Sequence, residues 1–453
     1  MKTFFSYNSK DSKIVKSIVD RLIFDKGLDI DFDQYLLEAG DRWPDELEES
    51  IKTAPAAVIF IGTNGIGDWQ KKEALTLQKR VDQDKHFKLG LCILPSSESL
   101  AKQEIPWFLA DIQWIEFTSA EDDFALNQLF AFCNSALEHR FKQPEFNPKN
   151  PYKGLFDYEV EDRNLFFGRN YDLNIVFHDN LRLHHGIKGN NFLAIVSDSG
   201  TGKSSFAKAG ILGSLKDGKF PGSEDWKQII LTPGNRPLVN LSEQLHQQDI
   251  IQNTRAFEDD CLQHDDHLGR TLREKLDTNR NKQTWVVLVD QLEEVISQCE
   301  VADHRNAFLK NLAATVEEEN VLVICTLRSD YFTKLTYPPS FYDLLRKHNY
   351  SPRPIELGKV EKNQRNSTLG PETTNTNLFR NIITRPALLH GARLEDTLTD
   401  DLTKKLEDIA NPLPVLQLAM SKLWDTMLKK DKKELSLDLL ASTKNLEGVI
   451  EEH

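Results

Sequence analysis

Basic charge is the first thing this 453-residue chain lacks: 56 Lys and Arg stand against 70 Asp and Glu, a formal net charge of −14. With no cationic excess to neutralise phosphates, nucleic acid and anionic membrane are excluded as main partners, leaving room only for a local basic pocket. Long hydrophobic runs are missing too, with nothing approaching the roughly 18 consecutive apolar residues of a membrane span. The start, Met1-Lys2-Thr3-Phe4-Phe5-Ser6-Tyr7, passes at once into polar Asn8-Ser9-Lys10-Asp11, unlike a secretory leader. A soluble, cytoplasmic protein is expected. Cysteine is sparse, with 5 residues at Cys92, Cys133, Cys261, Cys299 and Cys325. Their odd number, wide spacing and apolar neighbours predict buried reduced thiols in place of disulfides or a zinc site. No internal repeat is visible, and the length suits two or three domains.

What is present is alternation. In residues 1–142 short apolar runs at Thr3–Tyr7, Leu28–Phe32, Ala56–Ile61, Leu89–Leu94 and Trp114–Phe117 predict strands. Helical patterns such as Ser12–Phe24 and Trp69–Val81 separate them, so a parallel sheet covered by helices is expected, with ligands beyond the carboxyl ends of its strands. Residues 143–151 hold three prolines in Gln143-Pro144-Glu145-Phe146-Asn147-Pro148-Lys149-Asn150-Pro151 and read as a linker. A second alternating region follows, with strands predicted at Phe192–Val196, Gln228–Leu231, Thr284–Val289 and Val321–Thr326. From about Tyr337 the pattern turns helical, through Leu378–His390, Asp400–Ile409 and Pro414–Leu428. The polar stretch Glu361–Asn377 reads as an exposed loop.

The most informative residues are Asn191–Phe206, where an apolar run feeds Ser197-Asp198-Ser199-Gly200-Thr201-Gly202-Lys203-Ser204-Ser205. A glycine-rich turn between strand and helix cradles nucleotide phosphates with backbone N–H groups. In such a turn Lys203 reaches the β- and γ-phosphates and the Ser204 hydroxyl takes Mg²⁺. Ser197 stands where the pattern usually has its first glycine. The apolar strand Trp285–Val289 ends in Asp290, placed to hold Mg²⁺ beside Ser204. Glu293 and Glu294 follow, and Glu293 is the preferred candidate for orienting an attacking water; the plainer alternative is a pair of acids complementing a helix dipole. Arg328 is placed either to sense the γ-phosphate or to form a salt bridge. No metal other than nucleotide-bound Mg²⁺ is expected.

In residues 1–142, Tyr7 and Asp33 would meet at the carboxyl edge of the sheet. Trp69 and Glu73, four residues apart, fall on one helix face. An aromatic plane beside a carboxylate suits a cationic ring and the oxocarbenium left on its departure. Spacing alone favours the plainer alternative, a Trp packed on the sheet and an exposed Glu.

The ordered set Phe4-Phe5-Ser6-Tyr7 with Asp11, Asp31-Phe32-Asp33, Leu37-Glu38-Ala39-Gly40-Asp41-Arg42-Trp43, Gly67-Asp68-Trp69-Gln70-Lys71-Lys72-Glu73 and Ile105-Pro106-Trp107-Phe108-Leu109 resembles a TIR domain of the bacterial effector type. That resemblance implies a flavodoxin-like fold and cleavage of NAD⁺ at the nicotinamide–ribose bond, with Glu73 as the catalytic carboxylate. Tyr7 and Asn8 would flank the site, and Asp33, Trp43 and Trp69 would shape it. Adaptor TIR domains, which assemble without catalysis, generally lack the glutamate.

Asn150-Pro151-Tyr152-Lys153-Gly154-Leu155, Leu165-Phe166-Phe167-Gly168-Arg169, Val289-Asp290-Gln291-Leu292-Glu293-Glu294, Arg385-Pro386-Ala387 and Pro412-Leu413-Pro414 resemble the STAND class of signalling NTPases. The resemblance implies ATP as ligand, with Gly168, Arg169 and Pro414 near the adenine. The expected division is a TIR domain over 1–142, a linker over 143–151, a P-loop α/β domain over 152–335, a helical domain over 336–425 and the start of a winged-helix region over 426–453. The class further implies homo-oligomerisation on activation by a trigger, expected to be a phage protein, sensed by a C-terminal region beyond this chain. Two rival readings are a nucleotide-regulated scaffold with a non-catalytic TIR module, and an ATPase whose turnover is itself the output.

Overall fold

The computed structural model describes residues 3–24, 54–65, 68–84, 87–95, 97, 114–140, 145–177, 191–219, 222–276, 284–353, 376–406, 409 and 411–442. Two compact units divide the chain: residues 1–152, 356–410 and 419–453 make the first, and residues 153–355 with 411–418 the second.

The first unit opens with strands β1 (Phe4–Ser6), β2 (Ala56–Ile61), β3 (Lys88–Ile93) and β4 (Trp114–Glu116). Among the described residues they form one sheet in the order β1-β2-β3-β4, every pairing parallel, with Ser6 opposite Ile59 and Ile59 opposite Leu91. β2 reads AAVIFI and is buried at each position, the pattern of a strand covered on both faces. Helix α1 (Ser12–Phe24) buries Val15, Ile18, Val19 and Leu22, an apolar stripe at helical spacing. Helix α2 (Asp68–Gln83) packs Ala74 and Leu77 against Ile59, Ile61, Leu91 and Ile93. The strand expected at Leu28–Phe32 lies outside the described residues.

Gly62, directly after β2, lies against the carboxylate of Asp11, whose Oδ1 accepts from Asn64 Nδ2 at 2.6 Å. A Cβ there would stand 2.2 Å from Asp11 Oδ2. Overpacking of this kind costs about 1–3 kcal/mol. Gly62→Ala should therefore lower the urea midpoint of the first unit, and Asp11→Ala in the same chain should relieve part of the loss; strict additivity of the two substitutions would contradict the steric account.

Residues 145–152 of the proline-rich stretch form an ordered strap. Phe146 stacks on Trp424 with ring centroids 6.0 Å apart, while Tyr152 and His390 meet the same indole edge-on at 6.2 and 6.0 Å. Trp424 Nε1 donates to Pro148 O at 3.2 Å, and Asn150 Nδ2 donates to Ser421 O and Asp425 Oδ1, each at 3.0 Å. The prolines prevent helix and sheet, as the sequence predicts, but the aromatic residues between them anchor the segment to helices Thr376–Leu389 and Pro412–Lys429. A two-stranded parallel pairing of Arg393–Leu394 with Glu434–Leu435 accompanies these helices.

The second unit is built on β5 (Phe192–Ser197), β6 (Lys227–Leu231), β7 (Trp285–Val289), β8 (Val321–Arg328) and β9 (Asn349–Tyr350). All are parallel, in the order β6-β7-β8-β5-β9. β8 thus separates the phosphate-loop strand from the strand ending at Asp290. The register sets Ser197 opposite Arg328 and Val289 opposite Cys325, which brings the ends of β5, β7 and β8 to one edge. Phe192, Trp285, Phe308 and Phe341 are central in the core. All five cysteines are buried free thiols. Among the described residues no helix is long and apolar enough to cross a membrane.

Candidate functional site

At the carboxyl end of β1, Ser6 Oγ donates to Glu73 Oε2 at 2.5 Å. Glu73 precedes Ala74, which faces the core, so its carboxyl sits at the edge of the buried face of α2. Burial pushes its pKa up to about 7, against the lowering effect of the Ser6 hydroxyl. A carboxyl held near neutrality at the end of a parallel strand is a candidate for chemistry. Asn8 Oδ1 accepts from Lys10 N, and its Nδ2 donates to Asn64 O and Gly65 O at 3.3 and 3.2 Å. Asn8 therefore ties the loop after β1 to the loop after β2. Tyr7 follows Ser6 and is half-buried, and Trp69 lies in the first turn of α2. Asp33 and Trp43 lie outside the described residues.

In the second unit the phosphate loop curls on itself. Gly200 and Gly202 take φ of 78° and 82°, a left-handed backbone that favours glycine. Ser197, by contrast, is the last residue of β5 and pairs with β8, so a side chain is tolerated where the usual pattern has glycine. Thr201 Oγ1 donates to Asp198 O at 2.9 Å, and Lys203 Nζ to Ser197 O and Asp198 O at 2.9 and 2.6 Å. Burial lowers the pKa of the Lys203 ammonium, while Glu293 is the strongest charge acting to raise it. Ser199 is exposed on the loop. Ser204 and Lys203 open the following helix, which continues as a π-helix over Phe206–Leu212.

Asp290 is 2 % exposed and densely partnered. Its Oδ1 accepts from Ser204 Oγ at 2.8 Å and from Thr326 Oγ1 at 2.7 Å, and its Oδ2 lies 3.4 Å from Lys208 Nζ. A hydroxyl and a carboxylate set side by side at the foot of a phosphate loop are the hard oxygen donors that Mg²⁺ takes, so these residues fit that ion. Gln291 has φ of 56° and donates its N–H to Thr326 Oγ1 at 2.8 Å, which turns the chain sharply after the acid. Glu293 Oε2 accepts from Arg328 N at 3.3 Å. Glu294 Oε2 instead takes the N–H of Gly234 at 3.1 Å, at the loop after β6. Arg328 makes a two-pronged ion pair with Asp330, both contacts 3.1 Å, and lies over the ring of Tyr331.

Arg169, following Gly168 at φ of 87°, is 3 % exposed. It donates to Thr201 O at 2.8 Å, to Arg353 O at 2.5 Å and to Asp172 Oδ2 at 3.2 Å. Asp172 Oδ1 accepts from Tyr350 Oη and Arg353 N at 2.7 and 3.1 Å. Arg169 thus braces the phosphate loop against the end of β9. Ser205 Oγ accepts from Tyr158 N at 3.1 Å, and Tyr158 Oη donates to Gln417 at 2.9 Å. Pro414 approaches the loop as well, since a Cβ on Gly200 would lie 3.5 Å from Pro414 Cγ.

Residues 3–130 match the TIR domain family. Residues 151–453 match the family described as Novel STAND NTPase 1. The chain belongs to the STAND NTPases and carries a TIR domain ahead of that module. Several solved structures resemble this TIR–STAND NTPase. The ORC2 protein of Aeropyrum pernix, solved as ADPNP–ADP complexes, is 13% identical, with a TM-score of 0.45 over 66% of this chain and 71% of that one. RuvB of Thermotoga maritima is 9% identical, with a TM-score of 0.35 over 64% and 72%. NtrX of Brucella abortus, in complex with ADP, is 12% identical, with a TM-score of 0.33 over 97% and 86%. No curated protein matches.

No sequence motif of the TIR–STAND NTPase marks Ser6, Thr326, Asp157, Glu159 or Lys208 as a site residue. Lys208 carried a usable signal, because it follows Ser204 by four residues on one helix and so shares its face. The bond from Ser6 to Glu73 joins residues 67 positions apart, and no local pattern announces it.

Proposed function

We propose that this TIR–STAND NTPase is an NAD⁺ glycohydrolase switched on by ATP-dependent homo-oligomerisation, acting in bacterial anti-phage defence. The observation that supports the reading best is Glu73, a largely buried carboxyl held by Ser6 at the carboxyl end of β1. The scissile bond joins C1′ of the ribose to the nicotinamide nitrogen. Nicotinamide leaves with the bonding pair as a neutral ring, an oxocarbenium remains, and water adds at C1′ with release of a proton. Glu73 as carboxylate holds the ribose hydroxyls and stabilises that cation, with Tyr7, Asn8, Asp33, Trp43 and Trp69 around the ring. In the second unit Lys203 exchanges the carbonyls of Ser197 and Asp198 for the β- and γ-phosphates, and Ser204 and Asp290 hold Mg²⁺. Residues Ser199–Ser205 line the phosphates, Gly168, Arg169 and Pro414 flank the adenine, and Glu293 orients water for slow regulatory hydrolysis. Residues 1–142 are assigned as effector, 152–335 as switch and 336–425 as the helical domain, followed by the start of a winged helix.

The test is nicotinamide release from NAD⁺ by the purified chain, clustered at high concentration with ATP and Mg²⁺. Wild type should release nicotinamide and Glu73→Gln should do so about 10²–10³-fold more slowly. No release from a folded, clustered wild type would favour the scaffold reading instead.

A further inference from the structure

Lys208 has no part in the phosphate-loop pattern, yet it stands at the centre of the second unit's charge network. Its Nζ lies 3.4 Å from Asp290 Oδ2, 3.4 Å from Asp157 Oδ2 and 3.2 Å from Glu159 Oε1. The three carboxylates differ in kind. Asp290 has a side-chain exposure of 2%, whereas those of Asp157 and Glu159 are 36% and 49%. A carboxylate buried that deeply requires a countercharge, and Lys208 supplies the one beside it. The segment carrying Asp157 and Glu159 is also fastened to the phosphate-loop helix by the bond from Tyr158 N to Ser205 Oγ.

We propose that Lys208 is the resident counter-ion of Asp290, which it yields to Mg²⁺ when nucleotide binds, moving its charge onto Asp157 and Glu159. The inference rests on the reading of Ser204 and Asp290 as Mg²⁺ ligands. A divalent cation on Asp290 makes the neighbouring ammonium a like charge at short range, so Lys208 and the ion compete for one carboxylate. Asp157 and Glu159 give the displaced ammonium somewhere to go. Arrival of the metal is thereby felt at residues 157–159, the stretch that follows Lys153-Gly154-Leu155-Phe156 at the start of the unit.

The two halves of the network predict opposite effects, which separates them from simple damage. Binding of a fluorescent ATP analogue to the full chain is followed by anisotropy over a series of Mg²⁺ concentrations, each variant being referred to its own affinity in excess chelator. Lys208→Met should reach half-saturation at about 5–10-fold less Mg²⁺ than wild type. Asp157→Asn with Glu159→Gln should need about 5–10-fold more, because Lys208 then has Asp290 alone to hold it. Lys208→Arg should behave as wild type, and matching circular dichroism spectra establish that each variant is folded. An unchanged or greater Mg²⁺ requirement in Lys208→Met, or a shift of both variants in the same direction, overturns the proposal. Wild-type binding that is indifferent to Mg²⁺ overturns the metal reading itself.

Discussion

At pH 8 the Glu73→Gln chain should hold its N-terminal sheet more stably than wild type, and near pH 4.5 the two should be nearly equal. Burial raises the Glu73 pKa from 4.5 to about 7, with the Ser6 hydrogen bond acting the other way. Between those values the folded chain keeps a proton that the unfolded chain has released. Stability therefore falls as pH rises through this window, and above it the full cost of a buried carboxylate is carried. At about 1.4 kcal/mol per pH unit the full difference is about 3.5 kcal/mol, and about 2 kcal/mol is expected because the site is not wholly dry. Glutamine stays neutral and can still accept from Ser6, so it escapes that cost. Urea-dependent hydrogen exchange at Ala56–Ile61 reads the effect within the full chain. If the ionised form is the active one, nicotinamide release should climb through the same pH range as stability declines. A gain from glutamine that was equal at pH 4.5 and pH 8 would remove burial as the cause.

Arg169→Met should cost about 3–5 kcal/mol, the usual penalty for leaving one partner of a buried pair alone. Asp172 would keep its bonds from Tyr350 and Arg353 but lose its only cationic partner among the described residues. The same substitution frees the carbonyl of Thr201, so nucleotide affinity should drop together with the urea midpoint. Adding Asp172→Leu should restore much of the stability, since a well-packed apolar pair often replaces a buried ion pair without loss. Affinity should recover less, because the brace on the loop remains missing. Full recovery of both by the double variant would reduce Arg169 to a charge partner.

The regular part of this architecture was legible because its signals are local. Apolar runs marked β2, β5, β7 and β8, and helical spacing placed α1 at Ser12–Phe24. β9 was not legible, since two residues, Asn349 and Tyr350, carry no alternation to detect. The helix expected at Asp400–Ile409 begins earlier, at Asp396, because Thr397 and Asp400 are polar residues of its exposed side. Residues 145–152 show the limit of composition: proline content told correctly what the segment could not become, and nothing about what Trp424 would do with Phe146 and Tyr152. In the site, the motif named the phosphate loop and the acid after β7. The connections among them, through Thr326 and Lys208, depend on β8 lying between β5 and β7, an arrangement with no signature in any single window.

That the second unit takes residues 411–418 as well as 153–355 sets an order of events during synthesis. By the time a ribosome has produced β5 through β9, Gly200 still lacks Pro414 beside it and Tyr158 still lacks Gln417. Residues 356–410 must emerge first, so the nucleotide-binding unit stays open along one side while other parts of the chain are already able to fold. A nascent chain stalled or cleaved before residue 411 would carry a complete phosphate loop in an unfinished housing.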